Sequence, residues 1–128
     1  MTTQKILLIE DDCTMLSLLR TLLSFEGYEV LELDCLEQLN EIVAIIQKER
    51  PDLVLMDVNL HGFDGFEILS RIREDQQGKA IRVLMSSGMD FSERCQQAGA
   101  DGFILKPYMP EDLIKSIRQA LSDESFPE

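Results

Sequence analysis

The chain has 128 residues, a length that suits one domain with a substantial hydrophobic core. Its formal charge of −12 comes from 24 acidic and 12 basic residues. This charge argues against direct binding to nucleic acid or to an anionic membrane, because both require a basic protein surface.

The first third of the chain has a strand–helix–strand pattern. Residues 6–9 are uniformly apolar, which is typical of a strand covered on both faces in a parallel sheet. Residues 28–33, in which Glu29 and Glu32 interrupt apolar positions, indicate an edge strand. Between them a helical apolar stripe ends at Gly27. Its members are Met15, Leu18, Leu19, Leu22 and Leu23.

The middle third repeats the pattern. A second helix is predicted to start near Asp34, with Glu37 three residues on, and to stop before Pro51. Its apolar positions are Leu36, Leu39, Val43 and Ile46. Residues 53–56 form the next apolar strand. A third helix, started by the Asp64-Gly65 pair, has the apolar positions Phe66, Leu69 and Ile72.

The last third contains apolar strands at residues 83–85 and 103–105. A short helix is predicted between them, at residues 90–98, with Gly99 capping its end. The final helix carries Pro110 in its first turn, and its acids precede its bases, as the helix dipole favours. Its apolar positions are Leu113, Ile114, Ile117 and Leu121.

Five strand–helix repeats predict an α/β fold: a doubly wound, five-stranded parallel sheet with right-handed crossovers. We expect one domain over residues 1–121 and a polar tail, or the start of a linker, at residues 122–128. The N-terminus has no apolar signal core and no run approaches transmembrane length, which favours the cytoplasm. Three widely spaced cysteines are expected to be reduced and mostly buried. They are Cys13, Cys35 and Cys95.

Polar residues collect where the predicted strands end, and in open parallel sheets ligands bind beyond those carboxyl ends. The first strand ends in Glu10-Asp11-Asp12 and the third in Asp57. Such carboxylates would repel one another unless a cation lay among them, and a hard ion such as Mg²⁺, or Mn²⁺ as an alternative, suits all-oxygen ligands. The fourth strand ends in Ser86-Ser87-Gly88 and the fifth in Lys106-Pro107. Ser87 and Lys106 could hold phosphoryl oxygens while an ionised carboxylate forms an acyl phosphate.

Four segments make this pattern specific: ILLIEDD, LVLMDVNLHGFDG, VLMSSG and FILKP. In this order and spacing they resemble the landmarks of the response-regulator receiver family, over roughly residues 4–121. The resemblance implies a (βα)5 flavodoxin-like sandwich with strand order 2-1-3-4-5. It also implies a phosphorelay switch rather than an enzyme acting on a metabolite. A histidine kinase or histidine phosphotransfer protein would be the donor, an unidentified protein the target, and a phosphorylation-dependent homodimer stays open.

Carried over by position, the resemblance assigns a role to each landmark residue. Asp57 matches the phosphoacceptor. The metal would be held by Glu10, Asp11, Asp57 and the backbone carbonyl of Asn59. Ser87 and Lys106 would bind the phosphate, Ser87 and Phe103 would act as switch residues, and the Lys106–Pro107 bond would be cis. Asp12 reads more simply as an N-cap of the first helix.

Three features depart from the family pattern. His61 stands where relatives usually have proline, and we expect it to be a solvated loop residue. The segment from Ser87 to Lys106 is about three residues shorter than usual, which predicts that the fourth helix or the loop leading into it is abbreviated and leaves the partner surface open. Met89 occupies a position that is often polar, and its thioether cannot orient an attacking water well.

Two alternatives to an isolated signalling module are consistent with the predicted fold. The chain could be one receiver module of a hybrid kinase or transcription factor. It could instead be an enzyme of similar topology, such as a metal-dependent phosphatase or a flavodoxin-like electron carrier. However, the phosphatase would be expected to carry Asp-x-Asp after the first strand, and three acids at that point would repel a flavin phosphate.

Overall fold

The computed structural model describes residues 3–33, 39–60 and 62–122. Within them, five parallel strands form one sheet in the order β2-β1-β3-β4-β5, which confirms the predicted fold class. The strands are β1 (Lys5–Ile9), β2 (Glu29–Leu33), β3 (Leu53–Asp57), β4 (Arg82–Ser87) and β5 (Gly102–Leu105). The helices are α1 (Cys13–Phe25), α2 (Leu39–Glu49), α3 (Gly65–Glu74), α4 (Ser92–Ala98) and α5 (Pro110–Leu121). A two-residue antiparallel pairing joins Asn59–Leu60 to Phe63–Asp64, and a 3-10 turn covers Gln77–Ala80.

The central strands are buried on both faces, which explains why their apolar runs do not alternate with polar residues. In β1, Leu7 and Ile9 pack with α2, α3 and α4, whereas Ile6 and Leu8 pack with α1 and α5. All four side chains have no solvent exposure. In contrast, β2 lies at the edge of the sheet and is mostly half-exposed, as its glutamates predicted.

Helix α1 begins as predicted but buries a different face. The Asp12 carboxylate accepts hydrogen bonds from the backbone N–H groups of Thr14 (2.9 Å) and Met15 (3.2 Å), which confirms it as the N-cap. The buried side chains of the helix are Leu16, Leu19 and Leu23. Leu18 is 62% exposed, so its place in the predicted apolar stripe does not make it a core residue. Successive residues are about 100° apart around a helix, which turns Leu18 away from the sheet.

The predicted start of the second helix, at Asp34, lies outside the described residues, as do Cys35, Leu36 and Glu37. Of the other cysteines, Cys95 is buried, and this burial raises the pKa of its thiol to about 11. Cys13 is exposed, so the expectation of burial is wrong for it.

Helix α4 has seven residues and is the shortest of the described α-helices. It begins two residues later than predicted, and Gly99 ends it in the left-handed conformation (φ 96°) that glycine tolerates best. The Asp90 carboxylate accepts hydrogen bonds from the hydroxyl and the backbone N–H of Ser92, and these bonds lower the pKa of Asp90. None of the described helices is long and apolar enough to cross a bilayer.

Candidate functional site

Strand register brings the predicted site residues to one edge of the sheet. Strand β3 lies between β1 and β4, with Met56 beside Ile9 and Asp57 beside Ser86. The residues that follow β1 therefore meet Asp57 at the carboxyl end of the sheet. Lys106 arrives from the other side, directly after β5.

Three carboxylates form a cluster at this edge. Oxygen atoms of Glu10, Asp11 and Asp57 all lie within 4.8 Å of one another. The Glu10 side chain is only 7% exposed and that of Asp57 15%. Burial raises the pKa of the Glu10 carboxyl, and the hydrogen bond from Lys106 offsets part of that rise. Three close oxygen donors of like charge fit a hard divalent cation, because only a cation removes their mutual repulsion.

Lys106 bridges this cluster. Its Nζ lies 3.0 Å from Glu10 Oε2 and 3.0 Å from Asp57 Oδ2. Burial by itself would lower the pKa of the Lys106 ammonium, but the hydrogen bonds to Asp57 and Glu10 outweigh it and raise that pKa. The group therefore stays charged at neutral pH. Its backbone N–H donates to the Ser87 carbonyl (2.8 Å), and its peptide bond to Pro107 is cis.

The other predicted residues surround the cluster. Ser87 is buried, and its Oγ accepts a hydrogen bond from the Met89 backbone N–H (3.1 Å). The Asn59 backbone N–H donates to Asp57 Oδ1 at 3.4 Å, so the chain folds back around the carboxylate. Phe103 is half-buried in β5 and packs on the α2–α3–α4 face of the sheet. His61 lies outside the described residues.

Comparison with known families agrees with this geometry. The family model for the response regulator receiver domain matches residues 6–118. The chain belongs to this family. Receiver domains are, as a family, phosphoacceptor switches that histidine kinases phosphorylate, rather than enzymes acting on metabolites.

Curated relatives of this receiver domain include two transcriptional regulators. The phosphate regulon regulatory protein PhoB of Pseudomonas aeruginosa is 29% identical, with 94% of this chain and 53% of that protein covered. The transcriptional regulatory protein PdtaR of Mycobacterium tuberculosis is 32% identical, with 93% and 57% covered. The chain spans about half the length of the curated relatives it matches.

Solved receiver structures have the same fold. The chemotaxis response regulator CheY4 of Vibrio cholerae superimposes with a TM-score of 0.82 at 30% identity, covering 93% of this chain and 99% of that one. The receiver domain of the sensor histidine kinase PA1611 of Pseudomonas aeruginosa, which has a magnesium ion coordinated in its active site cleft, gives a TM-score of 0.79. Its identity is 24%, over 94% of this chain and 98% of that one, so this second likeness shows the fold alone.

Gly65 is a receiver residue whose role the sequence did not reveal. It was expected only to start α3, which it does, with Asp64 accepting a hydrogen bond from the Phe66 backbone N–H. A Cβ atom at Gly65 would lie 2.5 Å from the Asp57 carbonyl oxygen and 2.9 Å from that of Val58. The missing side chain lets α3 pack directly against the backbone at the end of β3. The sequence signal that could have revealed this close packing is a glycine at the first position of a helix, shortly after the polar end of a strand.

We expect Gly65→Ala to destabilise the receiver fold by on the order of 2 kcal/mol, because the clash is with backbone that cannot move cheaply. The better helix propensity of Ala, about 1 kcal/mol, offsets only part of this cost. Urea unfolding monitored by circular dichroism measures the change. Gly88→Ala is the control, since its Cβ would meet nothing within 4 Å. Equal stability of both variants would contradict the close packing described above.

Proposed function

We propose that this receiver domain is a phosphoacceptor switch in a phosphorelay and that Asp57 is its acceptor. The observation that carries the proposal is the Lys106 ammonium, 3.0 Å from carboxylate oxygens of both Glu10 and Asp57. A cation held beside a half-enclosed carboxylate is suited to receive the negative oxygens of a phosphoryl group. We also propose that the chain is no enzyme for an external substrate, neither a phosphatase nor a flavodoxin-like carrier, and the family assignment supports this.

In the proposed reaction a carboxylate oxygen of Asp57 attacks the phosphorus of a phosphohistidine on a histidine kinase or phosphotransfer protein. The P–N bond breaks as the P–O bond forms, and its electron pair returns to the imidazole nitrogen of the donor. Lys106 then pairs with the phosphoryl oxygens, and the hydroxyl of Ser87 donates to one of them.

The donor set supports magnesium, with Mn²⁺ as an alternative. Glu10, Asp11 and Asp57 would hold the ion, and the backbone carbonyl of Asn59 would complete its protein ligands. Oxygen-only ligands match the preference of Mg²⁺, and the magnesium in the cleft of the Pseudomonas PA1611 receiver is consistent with this choice. When bound, the ion would neutralise charge on the phosphoryl oxygens during transfer.

The switch would begin at Ser87. Its Oγ now accepts from the Met89 N–H, and its carbonyl accepts from the Lys106 N–H. A phosphate that attracts the side chains of Ser87 and Lys106 would therefore shift the ends of β4 and β5 as one unit. Phe103, opposite Met85 in the same pair of strands, is the aromatic side chain placed to respond. The proposed output is a changed surface of α4, β5 and α5, read by a downstream protein or by a second copy of the chain.

The extent of the receiver unit is also part of the proposal. We assign residues 1–121 to it and residues 122–128 to a polar tail or the start of a linker. Because this chain spans about half of its curated relatives, the receiver can equally be one module of a longer regulator. We also propose that the relay acts in the cytoplasm.

Uptake of a phosphoryl group tests the proposal directly. We expect incubation with acetyl phosphate and Mg²⁺ to add one phosphoryl group per chain, detected by intact mass, and incubation in EDTA to add none. The requirement for metal follows from the three adjacent carboxylates, which repel an incoming phosphate. Absence of uptake from both acetyl phosphate and a phosphohistidine protein in Mg²⁺ would overturn the assignment.

The lifetime of the phosphorylated state should depend on Met89, which is 66% exposed beside the site. Because a thioether cannot orient water as a carboxylate can, we expect Met89→Glu to lose its phosphoryl group several-fold faster than the parent. Following the decay by intact mass after removal of the donor measures both lifetimes. Met109→Glu adds the same charge at another exposed methionine, and it should decay at the rate of the parent. Equal decay of Met89→Glu and the parent would contradict the expectation.

A further inference from the structure

A cavity of about 460 Å³ opens at the end of the sheet opposite to Asp57. It is bounded by residues at the amino ends of the strands, including Asp52 before β3 and Arg82 at the start of β4. Asp52 and Asp57 are five positions apart along extended chain, a distance of about 16 Å. The cavity is thus distinct from the phosphoacceptor site, and its volume lies in the range of small-molecule sites.

The inner wall of the cavity is apolar. Val43 and Ile46 of α2 face it from one side, and Ile72 of α3 and Ile81 from the other. All four side chains are buried, and those of Ile46, Ile72 and Ile81 belong to the core cluster of this face, so the wall is fixed by the fold. Such a wall favours the apolar body of a ligand over a fully hydrated ion.

The rim carries an uneven set of charges. Three arginines and two aspartates line it, a net charge of +1 (3 − 2) in a chain of net charge −12. Arg71 bonds to Asn40 and Glu74, and Arg82 pairs with Asp101. Across residues 3–33, 39–60 and 62–122, the guanidinium of Arg50 has neither a hydrogen bond nor an ion pair. Among the described residues that line the cavity, the Arg50 guanidinium is therefore available to pair with a ligand anion. This is unexpected in a chain whose acidic residues outnumber its basic ones two to one.

The backbone at Arg50 supplies an independent observation. Its φ of 47° lies in the left-handed region, directly after the last residue of α2 and before Pro51. Glycine, or sometimes asparagine, normally ends a helix in this conformation, because other residues place Cβ too close to a carbonyl oxygen. An arginine at this position lowers the stability of the fold relative to glycine, but it places a cation at the rim of the cavity. Strain of this kind is found preferentially at ligand sites.

We propose that this cavity binds a small, mainly apolar molecule with one carboxylate, which pairs with Arg50 while its apolar body packs on Ile46, Ile72 and Ile81. A single negative charge fits better than a phosphate, because the rim also holds Asp52 and Asp75. Their carboxylates accept from the backbone N–H groups of Lys5 (2.7 Å) and Gln77 (3.4 Å) and would repel a second ligand charge.

The test compares 2-naphthoate with 2-naphthamide, which has the same ring system without the charge, by nuclear magnetic resonance titration of the full chain. We expect saturable shifts of the amides of Gln47, Gly78 and Ile81, and about tenfold tighter binding of the naphthoate. Arg50→Gln should remove that preference. Lys48→Gln deletes the same charge two residues away, at an exposed position outside the cavity, and should keep it.

A second variant separates binding from folding. Arg50→Gly relieves the left-handed strain, so it should melt at a higher temperature than the parent while it also loses the preference for the carboxylate. Three results would each overturn the proposal. They are equal binding of the two probes by the parent, equal losses in Arg50→Gln and Lys48→Gln, and shifts confined to the groove of Leu22 and Phe25 between α1 and α5.

Discussion

Replacing Asp57 by Asn should abolish phosphoryl uptake from acetyl phosphate in Mg²⁺, from one group per chain to none detectable. The amide has the shape of the carboxylate but lacks the anionic oxygen that attacks phosphorus. It also removes one of the three clustered carboxylates, while Glu10 remains as a partner for Lys106. Intact mass of the parent and the variant, measured side by side, gives the comparison.

Asp64→Asn is the matched control, since it removes the same charge from the segment that joins β3 to α3. The Asp64 side chain caps α3 by accepting from the Phe66 N–H (2.9 Å), and Asn caps a helix as well as Asp does. We expect Asp64→Asn to be phosphorylated at the parental rate. Uptake by Asp57→Asn, or its loss in Asp64→Asn, would move the acceptor away from Asp57.

The architecture was predictable because strand burial leaves a simple mark in the sequence. A strand with helices on both faces has no polar face, so the runs in β1, β3 and β4 are uniformly apolar. Once the strands are parallel, their carboxyl ends share one edge, and the polar residues that follow them must meet. That geometric rule places Glu10, Asp57 and Lys106 together without any knowledge of contacts.

Details that depend on tertiary contacts were harder to predict from the sequence. Leu18 has the spacing of a helical stripe, but only the position of the sheet decides which of two adjacent apolar faces of α1 is buried. The role of Gly65 depends on how closely α3 approaches the carbonyl of Asp57. Lys106 was assigned to the phosphate alone, yet here it holds two carboxylates 96 and 49 residues away in sequence. These two contacts place a positive charge between the carboxylates and offset their repulsion.

From this second role we expect Lys106→Met to be less stable than the parent in EDTA by on the order of 2 kcal/mol, since it removes two charged hydrogen bonds from a mostly buried site. The same change should tighten Mg²⁺ binding, because the ion no longer competes with an ammonium for Glu10 and Asp57. Added Mg²⁺ should therefore restore more stability to the variant than to the parent. Thermal unfolding with and without Mg²⁺, and calorimetric titration with the metal, measure the two effects.

The pH dependence of this deficit follows from Glu10. Burial raises the pKa of Glu10 above its unfolded value, and loss of Lys106 removes a group that lowers it. Because the pKa of Glu10 is higher in the folded state than in the unfolded state, its contribution to stability is fully present below the unfolded-state pKa. That contribution is lost as pH rises through the folded-state pKa. The deficit of Lys106→Met should thus be largest at neutral pH and shrink in acid, as Glu10 takes up a proton. Lys115→Met, which deletes an exposed lysine on α5, should show no deficit at either pH. A deficit independent of pH would mean that Lys106 contributes through packing and not through charge.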